Sequence, residues 1–386
     1  MDSKNSEIVE LTQKLVQIPS ENPLGNEKAI SKFIYDWFKE NKIETEMMEV
    51  LPDRPNVIAR IKGENNKNPL LLLAHTDTVP AGEGWKNGAF SGKIIDGKLF
   101  GRGSADMKSG LAATMMAIKK VKESGKKLQG DLIVAAVVDE EAIDYLGAQS
   151  LVKNNIVDKN TLIVCTEPTG LDLCKAQKGT IWYKVETFGK NAHGGNPQFG
   201  ADAVHAMSIF LKDIKDYVNQ LSYYQEHIGK ATITIGKIKG GLKVNIVPDY
   251  CMAELDLRIP APLDTSQTDK ILSDVMKKSA SQVEGATGKV TRFGPERDPV
   301  EAQDKSVIVQ NLKSAYKEVM GREVKVKGFS AYTDAGIIAT MTKNNNCIIF
   351  GPGKLSNAHS VDEFVEIKEI EDAEKVLVSL VMKTLR

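Results

Sequence analysis

The sequence has no apolar run long enough to cross a membrane and little cysteine. Its 51 Lys and Arg residues balance its 51 Asp and Glu residues, so an excess of charge of either sign is also absent. The chain therefore gives no reason to expect binding to nucleic acid or to a membrane surface. The four cysteines have no paired spacing, which predicts small buried thiols in a reducing compartment: Cys165, Cys174, Cys251 and Cys347.

The first residues of the chain are polar and lack the apolar core of a signal peptide. A cytoplasmic protein is therefore expected. The length of 386 residues, with 41% hydrophobic and 26% charged residues, is typical of a globular protein of one or two domains. No internal repeat or low-complexity segment is present.

The rest of the chain is organised around the stretch from Leu70 to Gly110. It opens with an apolar run that predicts a strand buried on both faces, and His75 and Asp77 follow directly. Residues two apart in a strand point the same way, so these two side chains should project together. Asp106 lies at a Gly-rich turn before a helical pattern.

Two further apolar strands also end in acidic residues: one ends at Glu140 and Glu141, the other at Glu167. Apolar strands alternate with helical segments, which predicts a mainly parallel sheet covered by helices. The carboxyl edge of such a sheet is where α/β folds bind ligands. Taken alone, Glu140 and Glu141 also fit a solvated pair that opens a helix.

From about residue 178 the pattern changes to β-α-β-β-α-β, the order of a small ferredoxin-like domain. The α/β alternation returns after Pro295. We therefore predict a large α/β domain in two parts, residues 1–177 and 295–386, with a small domain of residues 178–294 inserted between them.

The candidate ligands comprise two imidazoles and four carboxylates: His75, Asp106, Glu140, Glu141, Glu167 and His359. Mixed nitrogen and oxygen donors suit zinc and related divalent ions. Two ions can share one carboxylate, and each ion then needs one His and one further carboxylate. That arrangement uses five of the six residues and leaves one Glu. That Glu is a candidate general base, and Asp77 is a candidate to hydrogen-bond and orient His75.

The segment LAHTDTVP at 73–80, together with GRGSADMKSG at 101–110, closely resembles the M20 metallopeptidase and deacylase family. The whole chain is most similar to its acetylornithine deacetylase and succinyl-diaminopimelate desuccinylase branch. The resemblance implies a zinc-peptidase-like catalytic domain with an inserted lid domain. It also implies two divalent ions, most suitably Zn, with Co or Mn as substitutes.

The resemblance implies a role for each candidate residue. His75 and Glu167 bind one ion, Glu141 and His359 bind the other, and Asp106 bridges them. Glu140 is the general base, and Asp77 orients His75. The peptide bond between Asp106 and Met107 is implied to be cis.

Substrate contacts are expected from the inserted domain and from one loop. Arg258 resembles a lid arginine that grips a substrate carboxylate, although a surface ion pair with Asp256 fits equally well. Asn245 matches a second family contact. The N–H groups of Gly351 and Gly353 suit a carboxylate, or belong to a plain loop.

The resemblance also implies a homodimer formed through the inserted domain. In that dimer His193 of one subunit reaches the metals of the other and donates to the oxyanion. Alternatively, the His193 side chain caps a turn within its own domain.

The expected activity is hydrolysis of the acyl group from small N-acyl amino acids. A dipeptidase, a glutamate carboxypeptidase-like enzyme and an aminoacylase share the same metal residues and remain alternatives, with short peptides as substrates. A catalytically silent metal or peptide binder is the non-enzyme alternative, against which the candidate base Glu140 argues.

Overall fold

The computed structural model describes residues 5–65 and 67–386. Over these residues the α-helices are α1 (Glu7–Val16), α2 (Lys28–Glu40), α3 (Ser109–Glu123), α4 (Leu146–Lys153), α5 (Ala203–Gln220), α6 (Thr265–Ala280), α7 (Val307–Met320), α8 (Asp334–Thr342) and α9 (Ile367–Leu385). In this described part of the chain, no helix combines the length and the apolar character needed to cross a membrane.

The strands over the same residues are β1 (Glu44–Leu51), β2 (Arg54–Ile61), β3 (Leu70–His75), β4 (Lys93–Ile95), β5 (Lys98–Phe100), β6 (Leu132–Val137), β7 (Leu162–Cys165), β8 (Leu173–Gln177), β9 (Gly179–Phe188), β10 (Tyr224–Gln225), β11 (Gly229–Lys230), β12 (Thr232–Gly240), β13 (Tyr250–Ile259), β14 (Thr287–Phe293), β15 (Val300–Glu301), β16 (Val326–Phe329), β17 (Cys347–Ile349) and β18 (Phe364–Glu366). The chain divides into two compact units. The large unit runs to Ala176 and resumes at Val300, and the small unit is Gln177–Pro299.

The large unit contains a mixed sheet in the order β1-β2-β6-β3-β7-β17-β8-β15, with β16 paired to β8. Its central strands β6, β3, β7 and β17 are parallel neighbours. Strands β1 and β2 are antiparallel on one side, and β8 is antiparallel on the other. The predicted α/β class, a mainly parallel sheet covered by helices, is confirmed.

The apolar run of β3 is continuous because both of its faces are buried. Leu70 and Leu72 belong to a core that includes residues of α1, α2, α3, α7 and α9. Leu71 and Leu73 belong to a second core, which includes residues of α4 and α8. A strand covered on both sides has no solvent face to carry alternating polar residues.

Strands β6, β3 and β7 are adjacent and parallel, so their carboxyl ends meet at one edge of the sheet. His75 ends β3 there, Glu140 and Glu141 follow β6, and Glu167 follows β7. Glu140 and Glu141 lie in a turn and do not open a helix, because α4 begins at Leu146.

The small unit contains an antiparallel sheet in the order β12-β13-β9-β14. Helices α5 and α6 pack on it through one apolar core that includes Phe210, Leu272 and Leu255. Leaving aside the short β10–β11 hairpin, the chain order is β9-α5-β12-β13-α6-β14. This is the predicted ferredoxin-like βαββαβ arrangement.

Sequence analysis did not predict the short three-stranded sheet β18-β5-β4. Its strands are only three residues long, so they offer no periodic pattern. The β5–β18 pairing brings the segment after Phe100 beside the segment before Phe364.

Candidate metal centre

His75 is a buried side chain at the end of β3. Its Nδ1 lies 2.9 Å from the backbone carbonyl oxygen of Asp77, which accepts a hydrogen bond from the ring. A proton on Nδ1 leaves the lone pair of a neutral imidazole on Nε2. That atom lies 3.2 Å from Asp106 Oδ1 and 4.0 Å from carboxylate oxygens of both Glu140 and Glu167.

Asp106 lies in an irregular turn, Ser104–Lys108, where its backbone is not helical (φ −122, ψ 97). The peptide bond to Met107 is cis, as the family resemblance implies. One carboxylate oxygen, Oδ1, faces His75, and the other, Oδ2, lies 3.6 Å from His359 Nε2. The carboxylate of Asp106 therefore lies between the two imidazoles.

Glu141 and His359 complete the second side of the cluster. His359 Nε2 lies 3.1 Å from Glu141 Oε1, and the hydrogen bond with Glu141 raises the pKa of His359 above its usual value. The His359 side chain is 52% exposed and its backbone has a positive φ of 60°.

The donor atoms of these residues fall into sets within 4.8 Å of one another that could hold a metal ion: His75, Asp106 and Glu167; Asp106, Glu141 and His359; and His75, Glu140 and Glu141. The first two sets share Asp106 and each supplies one imidazole and two carboxylates. This donor chemistry fits two divalent ions of the zinc class, with Asp106 as the shared ligand.

The electrostatics of the cluster favour the same conclusion. Burial raises the pKa of Glu140 and Glu167, because charged carboxylates lose hydration there and repel one another. Burial lowers the pKa of His75, but the Asp106, Glu140 and Glu167 carboxylates outweigh burial and raise it. A cation among these buried carboxylates offsets their mutual repulsion and their loss of hydration.

The structure gives Asp77 a contact that sequence analysis did not predict. Its carboxylate is 3.7 Å from His75 Nδ1, and its backbone oxygen makes the shorter contact. The carboxylate instead accepts hydrogen bonds from the N–H groups of Glu140 (3.2 Å) and Glu141 (3.0 Å) and from the Asn22 side chain (2.8 Å). Asp77 thus holds the turn that carries both glutamates.

Asp334 is a buried acid near this cluster that sequence analysis missed. Neither of its carboxylate oxygens has a hydrogen-bond partner among the described residues, and burial raises its pKa. Its charge contributes to the raised pKa values of Glu140 and Glu167. The sequence does single it out in one respect: Asp334 is the one charged residue of helix α8.

Glu363 is a second residue that sequence analysis missed. Its side chain accepts hydrogen bonds from the N–H groups of Ala105 and Asp106. The only sequence signal for Glu363 is that it belongs to an acidic pair, residues 362–363, shortly after His359.

Gly351 and Gly353 use their N–H groups within the chain. Gly351 donates to Thr169 Oγ1 at 3.1 Å and Gly353 to Glu369 Oε2 at 2.9 Å. A substrate carboxylate would therefore have to displace these acceptors.

In the small unit, Arg258 makes two contacts of 2.8 Å with Asp256 and one of 2.8 Å with Thr180. His193 and Asn245 lie on neighbouring segments, because Gly194 N–H donates to the Asn245 carbonyl at 2.9 Å.

The His193 ring has a defined partner within the small unit. Its Nδ1 accepts a hydrogen bond from Gly195 N–H at 3.0 Å. In the neutral ring this contact leaves the proton on Nε2, so that Nε2–H is the donor.

Comparison with known proteins places these residues in a family. The model of Peptidase family M20/M25/M40 matches residues 71–383. A probable succinyl-diaminopimelate desuccinylase from Staphylococcus epidermidis is 28% identical over 92% of each chain. The aminopeptidase PepT structure from Bacillus cereus has a TM-score of 0.79 at 20% identity, with 98% of each chain covered.

A dinuclear metal-binding peptidase of the M20 family from Bacillus subtilis has a TM-score of 0.73 at 16% identity. The alignment covers 98% of this chain and 97% of that one. The family match spans most of the chain, including the strands and turns that carry the candidate ligands. The chain belongs to Peptidase family M20/M25/M40 and is a metal-dependent hydrolase that acts on amide bonds.

Proposed function

We propose that this enzyme removes the acyl group from small N-acyl amino acids, in the manner of an acetylornithine deacetylase or a succinyl-diaminopimelate desuccinylase. The observation that carries the proposal is the position of Asp106 between two sets of ligands, with Glu140 beside one of them. This arrangement supports an amide hydrolysis assisted by two ions.

His75, Asp106 and Glu167 would hold one ion, and Asp106, Glu141 and His359 the other. Zinc suits these nitrogen and oxygen donors, and cobalt or manganese can replace it. When bound, the ions would polarise the amide carbonyl and activate the attacking water.

Glu140 is the proposed general base. It follows β6 at the edge of the sheet, and its side chain is only 11% exposed. Burial raises its pKa, which suits a group that first accepts a proton from water and later returns it to the leaving amine. Asp77 fixes the backbone of Glu140 and so positions the base.

The acyl amino acid is the preferred substrate class because the sequence relatives named as desuccinylases cover most of this chain. Arg258 is the proposed partner of the substrate carboxylate, with Asn245 as a second contact. Short peptides are the second candidate, since hydrolysis of a peptide bond requires the same ions and the same base.

The proposed assembly is a homodimer formed through the small unit. Its edge strand β12 is mostly exposed, and an exposed edge strand can pair with its copy. His193 would then serve the metal centre of the partner subunit, and its Nε2–H would donate to the oxyanion.

A cytoplasmic location is also proposed. All four cysteines are buried and free, and free thiols are usual in a reducing compartment.

A substrate screen tests the proposed activity. Protein loaded with zinc or cobalt is assayed with N-succinyl-diaminopimelate, N-acetylornithine, N-acetylmethionine and simple dipeptides, and a chelated sample serves as the control. We expect turnover of an acyl amino acid that chelation abolishes and zinc restores. Turnover of dipeptides alone would favour the second candidate.

A further inference from the structure

Arg102 and Glu363 form a buried ion pair close to Asp106 and His359. Arg102 Nη1 is 2.6 Å from Glu363 Oε2, and the two side chains are 3% and 1% exposed. The pair lies beside the short β5–β18 pairing, which brings the segment after Phe100 next to the segment before Phe364. Because both charged side chains lose their hydration on burial, such a pair persists only with good geometry and further hydrogen bonds.

The glutamate side of the pair fixes the turn that carries Asp106. Its other carboxylate oxygen, Glu363 Oε1, accepts hydrogen bonds from Ala105 N–H at 2.9 Å and from Asp106 N–H at 3.1 Å. One carboxylate thus binds the backbone of the shared ligand and the guanidinium of Arg102.

The arginine side of the pair fixes the loop that carries His359. Arg102 Nη1 also donates to the carbonyl oxygen of Ser360 at 3.2 Å, one residue after His359. His359 itself has a positive φ of 60°, an uncommon conformation for a residue other than glycine, which persists where the surrounding structure fixes it. The guanidinium also lies 5.1 Å from the centre of the Trp85 ring.

The other ligands have a different support. His75 ends the buried strand β3, and Glu167 is the second residue after the buried strand β7, so the hydrogen bonds of the sheet fix their positions. His359 lies in a loop.

We propose that Arg102 and Glu363 are positioning residues that set the spacing of Asp106 and His359, and so the affinity of the Asp106–Glu141–His359 set for its ion. The inference rests on the two-ion centre proposed above. Loss of the pair weakens that set much more than the His75–Asp106–Glu167 set.

Glu363→Gln is the direct test. The amide has a single acceptor oxygen, so it cannot accept from both Arg102 and the Asp106 backbone. Glu366→Gln is the matched control, because Glu366 is a 41% exposed neighbour that faces Lys98 at 3.7 Å. Zinc affinities are measured by calorimetry, and ions per chain by elemental analysis after dialysis at limiting zinc.

We expect two bound ions for the wild type and for Glu366→Gln. Glu363→Gln should weaken one site by about 10- to 100-fold, the usual effect of losing a group that orients a metal ligand. In a His359→Ala background the same change should have a smaller effect on that site, because one of the two ligands that the pair spaces is already absent. A merely structural role would lower the melting temperature of the metal-free protein and leave both zinc affinities unchanged.

Folded Glu363→Gln protein that binds two ions with wild-type affinity would overturn the proposal. If that variant does not fold, the double variant Arg102→Met/Glu363→Gln leaves no unpaired charge, and it should still weaken one site because Ser360 loses its donor. Wild-type zinc affinity at both sites in the folded double variant would equally overturn it. A wild-type protein that binds no zinc would refute the two-ion centre itself, which separates the two failures.

Discussion

The carboxylate of Asp77 accepts a hydrogen bond from the backbone N–H group of Glu141 at 3.0 Å. Asp77 follows β3 and Glu141 follows the neighbouring parallel strand β6, so the bond joins two strand ends across the edge of the sheet. The orientation of His75 depends instead on the backbone carbonyl of Asp77, which a substitution of the side chain leaves in place.

Asp77→Ala should therefore loosen the Glu140–Glu141 turn and keep the tautomer of His75. We expect kcat and zinc affinity at one site to fall by about 10- to 100-fold, measured by steady-state kinetics and calorimetry. Asp144→Ala, an exposed change close to the same turn, is the control. Wild-type kcat and zinc content in Asp77→Ala would show that the turn needs no such acceptor.

Arg258→Ala should raise KM strongly for substrates with a free α-carboxylate and much less for their amides, because only the former lose a charged partner. Arg292→Ala is a matched control, since Arg292 is an arginine of the same unit that contacts Asp269 and Glu296. Equal effects of Arg258→Ala on acids and amides would place Arg258 away from the carboxylate and leave it as the partner of Asp256.

The stability of the metal-free protein should fall as the pH rises. The pKa of Glu140 and of Glu167 is raised above 4.5 by burial, and that of His75 is raised above 6.5 because its carboxylate neighbours outweigh burial. Between the usual pKa of each group and its raised pKa, the folded state binds more protons than the unfolded state, so the free energy of unfolding decreases as the pH rises. For Asp106, burial raises the pKa, but the hydrogen bond with His75 and the charges of His75 and His359 together outweigh burial and lower the pKa below 3.8. The stability that Asp106 contributes is therefore lost only in stronger acid, as the pH falls through its lowered pKa.

We expect the melting temperature of chelated protein to drop as the pH rises above 4.5, where the glutamates contribute, and further above 6.5, where His75 contributes. Zinc should remove most of that drop, because the cation neutralises the carboxylates and competes with their protons. A melting temperature that rises over this range without metal would contradict the electrostatic account of the cluster.

Mixed dimers test whether His193 acts across subunits. Glu140→Ala lacks the base and keeps His193, whereas His193→Ala keeps the base and lacks the donor, so each variant alone should be nearly inactive. In an equal exchanged mixture half the dimers are hybrids with one complete site, and activity should recover to roughly a quarter of wild type. Absence of recovery after proven subunit exchange would mean that His193 serves its own chain or none.

The fold of both units could be predicted because their long elements have strong patterns. The continuous apolar run of β3 and the alternation of β9 each indicate the faces that are buried. Short pieces such as β4, β5 and β18 have three residues each and no period, so only tertiary pairing defines them.

The proximity of the six candidate residues could be predicted because each follows a recognisable strand or lies in a motif, and their roles stay predictions. The contacts that surround and position these residues could not be predicted from the sequence. Glu363 contacts Asp106 across more than 250 positions of sequence, and no local pattern encodes such a contact. The same holds for the choice between the side chain and the backbone of Asp77 as the partner of His75, which depends on less than 1 Å of geometry.

The roles of Glu140 and Glu141 provide the most direct test of the two-ion hydrolase. Zinc content and kcat are measured together for Glu140→Gln and Glu141→Gln with the best substrate of the screen. The account predicts that Glu140→Gln keeps two ions and loses at least about 100-fold in kcat, whereas Glu141→Gln loses one ion. Loss of an ion from Glu140→Gln with both ions retained in Glu141→Gln would contradict these roles, as would wild-type kcat in Glu140→Gln.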